Sequence, residues 1–439
     1  MKKTLALLLL LLSFSALAQD RPITSEERRI LGKTMPHLLR TMYVIPEKGE
    51  ALAKQLQAAF DSGKFDAATT ALQLTEALNR ELASANDRHL NVRFNPREAS
   101  RPALTVEAWE QQRAELRAGT AQRPPMRDYE REGMRIANYG VVSAQVLDGN
   151  VGYLKVNGFF PADETRAALT KAMAFLENSD AMIVDVRDCP GGNPETVAHL
   201  ASYFFGPEKR VLMNHYHRPS DRKWESTTVD VPGKRMPDAD VYVLTARTGS
   251  ACEAFAFTLQ QWGRAKTVGE RSGGGGFNNM LIDVGLGLAF SVSAGTASHP
   301  KTGKGWEAVG VQPDIPTDAA KALDVAHAAA LRSLESKTTT SETQKRAIRS
   351  ALLKLDPPKA PEKAAEYIGK YGVREVSLRE GALWFQRTGG SGGPLRQTAP
   401  DQFSLNGDVT VTFERDDKGA VQSMKIRMPD GRVESAARE

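Results

Sequence analysis

The stretch Val241–Trp262, VYVLTARTGSACEAFAFTLQQW, decides how the chain is read. Val241, Tyr242, Val243 and Leu244 form a short apolar run of β-branched and aromatic residues, which predicts a buried strand. From Ala251 onward Ala254, Phe255, Phe257, Thr258 and Leu259 recur at helical spacing, so a helix begins directly after Thr248-Gly249-Ser250. Ser250 therefore stands on a tight strand-to-helix turn. A helix N-terminus carries unpaired N–H groups and a partial positive charge, which suits a nucleophilic hydroxyl and the oxyanion it generates. The plainer reading is a helix cap: serine is a favoured N-cap, and Glu253 three residues later completes a capping-box pattern.

Outward from this turn, strand-like and helix-like segments alternate. GNVGYLKVNGF, AMIVDVRDCPGG and VLMNHYH read as strands, and ETRAALTKAMAFL and VAHLASYFF as helices. After the glycine run Gly273–Gly276 come the strand candidates NNMLIDV and LAFSVSAG, a loop GWEAVGVQPDIP, and the helix ALDVAHAAALRSL. Residues 139–336 are thus expected to form an α/β core. Residues 19–95 read as a helical domain, with Leu72, Leu74, Leu78 and Leu82 marking part of one apolar face. The polar segment 96–138 reads as a connecting or lid-like insertion. Small polar residues in SKTTTSETQ mark a boundary, and 337–439 is expected to hold a linker helix reaching about Tyr371 and a small β-rich domain, with hairpin turns at Glu380-Gly381 and Lys418-Gly419.

A formal charge of +5, with no dense block of lysine or arginine, gives no argument for nucleic acid as a partner. Residues 1–18 read as a signal peptide: Lys2 and Lys3, the apolar run Leu5–Leu12, then Ala16-Leu17-Ala18 as a cleavage site. That run is too short for a stable membrane span, and no later segment is apolar enough for one. The mature protein is expected to start near Gln19 and to be periplasmic or secreted. In that compartment Cys189 and Cys252 are free to pair, and a buried unpaired role fits the sequence equally well.

Three separated stretches carry candidate chemistry. NDRHLNV holds His89, the side-chain type best suited to take a proton from serine at neutral pH. VDVRDCPGGN places Gly191-Gly192 at a strand end, where backbone N–H groups stand clear of side chains as an oxyanion hole requires. GWEAVGVQPD supplies Glu307, an acid able to orient an imidazole. Each has a bland alternative: a surface or core histidine, a turn, and a solvated loop acid. His299 is a reserve base, and Lys301 and Lys304 are reserve partners for a lysine dyad. His215 and His217 share a strand face but lack the acids or cysteines of a metal site. Gly273–Gly276 lacks the Lys-Ser/Thr of a phosphate loop, and no metal or organic cofactor is called for.

Taken in order, V-D-x-R-x-x-x-G-G (Val184–Gly192), T-x-S-A-x-E-x-F-A (Thr248–Ala256), R-A-x-x-V-G-E (Arg264–Glu270) and G-V-x-P-D (Gly310–Asp314) resemble the carboxyl-terminal processing (tail-specific) peptidase superfamily. The likeness spans about Tyr139 to Leu334, and D-x-H-L (Asp87–Leu90) extends it upstream. It implies a crotonase-like spiral of ββα units and a Ser250 nucleophile, with an oxyanion hole from the N–H of Ala251 and one from Gly191-Gly192. The Ser/Lys members carry a lysine where Gly275 stands here, and no PDZ-like insert is evident. The chain is more similar to the tricorn-core and interphotoreceptor retinoid-binding-protein branch, whose peptidases use a histidine and a late glutamate, the places of His89 and Glu307. Arg88 stands where the tricorn type has a serine before that histidine, which leaves a fourth role unfilled. The resemblance implies a serine endopeptidase acting on peptide or protein substrates. The alternatives are a non-catalytic protein holding a peptide or apolar ligand on the same fold, and a hydrolase or transferase for small acyl substrates.

Overall fold

The run Val241–Leu244 lies within a strand, Asp240–Thr245, in the middle of a six-stranded sheet. Across the sheet the order is Ile315–Pro316, Lys266–Gly269, Asp240–Thr245, Ala181–Asp185, Val151–Val156 and Val141–Leu147. All neighbours are parallel except the last pair. Parallel strands need crossover helices, and the segments Asp163–Leu176, Pro194–Ser202 and Ser250–Gln261 supply them. Alternation along the strands turns Ile183, Tyr242 and Leu244 toward Ala326, Ala330, Leu331 and Leu334 of the helix Ala322–Ser336. That near-continuous burial is why these strands read as unbroken apolar runs.

The computed structural model describes residues 20–121, 126–161, 163–390, 392–405 and 407–439. The leader 1–18 inferred from sequence lies outside them. Among the described residues no helix is long and apolar enough to cross a membrane. The chain divides into two units interleaved in sequence: the first holds residues up to 125, 213–225 and 275–308, and the second holds 126–212, 226–274 and 309–439.

In the first unit the helices Ser25–Met42, Pro46–Asp61 and Ala71–Leu82 cover an antiparallel sheet. The long strand Leu288–Ser298 pairs with Asn91–Phe94, with Phe277–Gly285 and with Val211–His217. Leu74, Leu78 and Leu82 are buried at i, i+4 and i+8, while Leu72 points away and is exposed. The strands at 277–298, which the sequence reading groups with 139–336, contribute Val284, Leu286, Leu288, Phe290 and Val292 to the same core as Leu31, Met35, Leu38 and Leu39. Within the polar segment 96–138, the helix Val106–Ala118 buries Trp109 completely in that core, which anchors this part of the insertion.

The linker helix spans Glu342–Leu355, shorter than the sequence reading had it. Pro357, Pro358 and Pro361 follow, and proline lacks the N–H that a continuing helix needs. Eight antiparallel strands from Gly369 to Ala437 then form a meander around Tyr367, Tyr371, Phe403 and Phe413. Glu380-Gly381 and Lys418-Gly419 lie in two of its hairpin turns. The architecture is therefore mixed α/β with a C-terminal antiparallel β-sheet.

Candidate functional site

Ser250 opens the helix Ser250–Gln261 and has φ of +45°, a left-handed value that a non-glycine residue rarely holds without support. The capping reading does not survive at the side chain. The N–H of Glu253 points to the carbonyl of Gly249 rather than to the serine hydroxyl, and Gly249 is the N-cap. The half of the capping box that does form runs from the Ser250 N–H to Glu253 Oε2, at 2.8 Å. Glu253 is fully buried, and its Oε1 accepts from Ser272 Oγ at 2.5 Å and from the Gly274 N–H at 2.6 Å.

The Gly191-Gly192 turn lies against this elbow within the same unit. A β-carbon on Gly191 would sit 2.9 Å from Ser250 Cβ and 3.5 Å from the Ala251 nitrogen, and one on Gly192 would meet the Phe159 carbonyl at 2.0 Å. Both glycines hold positive φ, +142° and +146°. Phe159 grips the turn by donating its N–H to Gly191 O and accepting from the Asn193 N–H. Cys189 and Cys252 form a disulfide, with Cα atoms 5.9 Å apart, and Gly249 donates to Cys189 O at 2.9 Å. Thr248 Oγ1 donates to Val186 O at 2.9 Å. The two loops are thus laced by a covalent bond, a backbone hydrogen bond and the Thr248 hydroxyl. Among the described residues, the N–H of Ala251 reaches no backbone acceptor.

Beneath the first motif lies a buried ion pair. Asp185 accepts from Arg187 Nε at 2.9 Å and Nη2 at 2.6 Å, and from Tyr153 Oη at 2.8 Å. Burial pushes this carboxyl up, but the hydrogen bonds from Arg187 and Tyr153 outweigh it and leave its pKa below the ordinary value. Arg187 also donates to Ala319 O, so the D-x-R of the motif ties two loops of one unit together.

His89 and Glu307 belong to the other unit. His89 sits half-buried on a turn after the helix Ala71–Leu82, and its backbone N–H is accepted by Asp87 Oδ1 at 2.9 Å. Asp87 Oδ2 accepts from Tyr43 Oη at 2.8 Å, and burial with the nearby carboxylate pushes the tyrosine pKa far up. Glu307 Oε2 takes the N–H groups of Gly276 and Phe277 at 2.7 and 2.8 Å. Its pKa is raised, chiefly by burial and further by the charge of Asp87, against the pull of those two amides and of Lys48. Among the described residues no hydrogen bond joins His89 to Glu307. Asp87 is what they share, acting on one through a backbone bond and on the other through its charge.

The structure therefore brings Ser250, Ala251, Gly191 and Gly192 together, and holds His89 and Glu307 in the unit that carries Asp87. The sequence offered Glu253 only as a capping acid and not as an acceptor for three donors, and it did not single out Asp87, which accepts the His89 N–H, or Tyr43 behind it. The D-x-H-L pattern already contained Asp87, whereas Tyr43 carried no local signal. Of the reserves, His299 starts a turn closed by its N–H to Lys304 O and contacts Thr302 through Nδ1, while Lys301 and Lys304 are exposed. His215 is buried and stacked on Trp224, ring centroids 4.9 Å apart, and burial lowers its pKa to about 4. His217 Nδ1 contacts Ser220 Oγ at 2.7 Å. Among the described residues no group of three or more His, Cys, Asp or Glu could hold a metal ion.

Comparison with known proteins bears on both units. The family description "Peptidase family S41" matches residues 150–317, and "N-terminal domain of Peptidase_S41 in eukaryotic IRBP" matches residues 23–122. The chain is 28% identical over 168 residues to a carboxyl-terminal-processing protease of Picosynechococcus sp., covering 37% of this chain and 38% of that protein. It is 25% identical over 137 residues to the carboxy-terminal processing protease CtpA of Bacillus subtilis, covering 31% and 28%. The matched stretches thus span less than half of either relative. Among solved structures, the photosystem II D1 C-terminal processing protease has 15% identity and a TM-score of 0.43, covering 68% of this chain and 94% of that one. The strand-rich middle of the chain thus matches peptidase family S41, and the helical front matches that family's N-terminal domain, in chain order.

Proposed function

We propose that the protein is a serine endopeptidase that hydrolyses peptide bonds through an acyl-enzyme, working in the periplasm or outside the cell on peptide or protein substrates. Ser250 Oγ attacks the carbonyl carbon, its proton passes to His89, and the C–N bond breaks as His89 returns that proton to the leaving amine. Water, deprotonated by the same imidazole, then releases the acid. The Ala251 N–H and an N–H of Gly191-Gly192 stabilise the oxyanion, Glu307 supports the protonated imidazole, and the ββα core is crotonase-like.

The observation that carries this reading is the elbow at Ser250. A serine held at positive φ, excluded from capping its own helix, pressed against a glycine turn and followed by an uncommitted N–H has the parts of an acyl-transfer site. The disulfide beside it fits an oxidising compartment.

The test is labelling with a fluorophosphonate alongside hydrolysis of unfolded, dye-labelled casein. The wild-type chain should be labelled at Ser250 and should cleave casein, and Ser250→Ala and His89→Ala should each abolish turnover. A wild-type protein that is neither labelled nor active, yet retains a peptide or apolar ligand, would instead be a binding protein on this fold.

A further inference from the structure

The buried acid three residues after the serine does more than begin a helix. Glu253 spends one oxygen on the N–H of Ser250 and the other on Ser272 Oγ and the Gly274 N–H. Ser272 is itself buried and continues outward, because its Oγ accepts the Val311 N–H at 2.7 Å and its own N–H reaches Val311 O. One carboxylate thereby ties the serine turn to Ser272 and Gly274, and through Ser272 to Val311 of the G-V-x-P-D loop, all within one unit.

Two consequences for the elbow follow from that placement. A backbone N–H at a helix start that is already claimed cannot turn toward an oxyanion, so the bond to Glu253 removes the Ser250 N–H from competition and leaves that of Ala251 as the donor of the first turn. A left-handed φ at a non-glycine residue costs on the order of 1–3 kcal/mol and persists only where its surroundings over-determine it. The Ser250 N–H is fixed from one side by Glu253, and the serine β-carbon is packed from the other by Gly191. A solvated cap would not account for this, because Glu253 has no exposed surface and its oxygens are directed into the turn rather than toward water.

We infer that Glu253 is a positioning residue for the peptidase reaction, holding Ser250 in its strained conformation and aligning the Ala251 N–H. It touches no reacting atom. The inference rests on the proposed peptidase reading and adds to it a residue acting through another.

The experiment compares wild type with Glu253→Gln and Ser272→Ala. For each, the fluorophosphonate labelling rate of Ser250 and the kcat and KM for casein hydrolysis are measured across pH, and the melting temperature is recorded in parallel. Glutamine keeps the shape but turns an N–H₂ toward one of the donors, so one bond becomes a repulsive contact. The expected result is a fall in labelling rate and kcat on the order of 10-fold to 100-fold, less than the loss from deleting an oxyanion donor, with KM within about twofold. The pH profile should keep its midpoint and lose only its plateau, since a positioning group does not itself exchange the proton. Ser272→Ala leaves the Ser250 bond in place and should show a smaller drop in the same parameter, so the inference stays testable if the glutamine variant does not fold. Wild-type rates in both variants overturn it, as does a shifted pH midpoint, which would make Glu253 a proton carrier. A wild-type chain that is neither labelled nor active refutes the peptidase reading itself, a different outcome from a labelled wild type matched by its variants.

Discussion

Removing the Cys189–Cys252 bridge is the sharpest test of how the elbow is held. The bridge joins residues 63 positions apart. Closing a loop of that length in the unfolded chain removes about 14 cal/mol/K of entropy, or about 4 kcal/mol at 25 °C, in the chain-entropy account. The Cys189→Ala/Cys252→Ala pair should therefore unfold in urea with a stability lower by about 4 kcal/mol, plus the smaller cost of two shortened buried side chains. Reducing the wild type with a dithiol isolates the cross-link from the side-chain change. Neither treatment removes the hydrogen bonds from Gly249 to Cys189 O and from Thr248 to Val186 O, so the two loops should stay adjacent but loosen. Labelling at Ser250 should slow accordingly. If reduced and oxidised protein share one urea midpoint and one labelling rate, these hydrogen bonds alone hold the elbow and the argument for the bridge fails.

Two other perturbations have outcomes fixed by the geometry. Gly191→Ala places a methyl against Ser250 Cβ, and Gly192→Ala places one against the Phe159 carbonyl, both at a φ that alanine avoids. The first should lose labelling out of proportion to its melting temperature, whereas the second should lose stability first, because its clash is with backbone; equal effects on both readouts for both variants would contradict this. Glu307 has a folded-state pKa above its ordinary value, so its contribution to stability is fully present below about 4.5 and is lost as pH rises through the raised folded value. Glu307→Gln should therefore gain stability relative to wild type across that window and hold a constant difference above it, as followed by urea midpoints at stepped pH. A difference that shrinks with rising pH has the wrong sign for a buried carboxyl.

The serine turn was legible because the period of apolar residues switches from a run to helical spacing within a few positions, and that switch is a local property of the chain. The hairpin turns at Glu380-Gly381 and Lys418-Gly419 were legible for the same reason, since glycine next to a polar residue supplies the positive φ a tight turn needs. The pairing of Val92 with Phe290 was not. An antiparallel register joining residues nearly two hundred positions apart leaves no mark in either segment, so the strands at 277–298 read as part of the unit that surrounds them in sequence. The positive φ of Ser250 likewise has no local signature, because it is imposed by Glu253 and Gly191. The early end of the linker helix at Leu355 is written in the sequence as Pro357, Pro358 and Pro361, which remove the N–H groups that a helix reaching Tyr371 would need.

The interleaving of the two units limits how the gene can be cut. A fragment from 139 to 336 would keep the strands Phe277–Gly285 and Leu288–Ser298 but discard the helices that bury Val284, Leu286 and Phe290, leaving a greasy, open-edged sheet prone to self-association. The complementary N-terminal piece would expose the other half of that interior. Coexpressing the complementary pieces preserves the partnership that a straightforward truncation destroys.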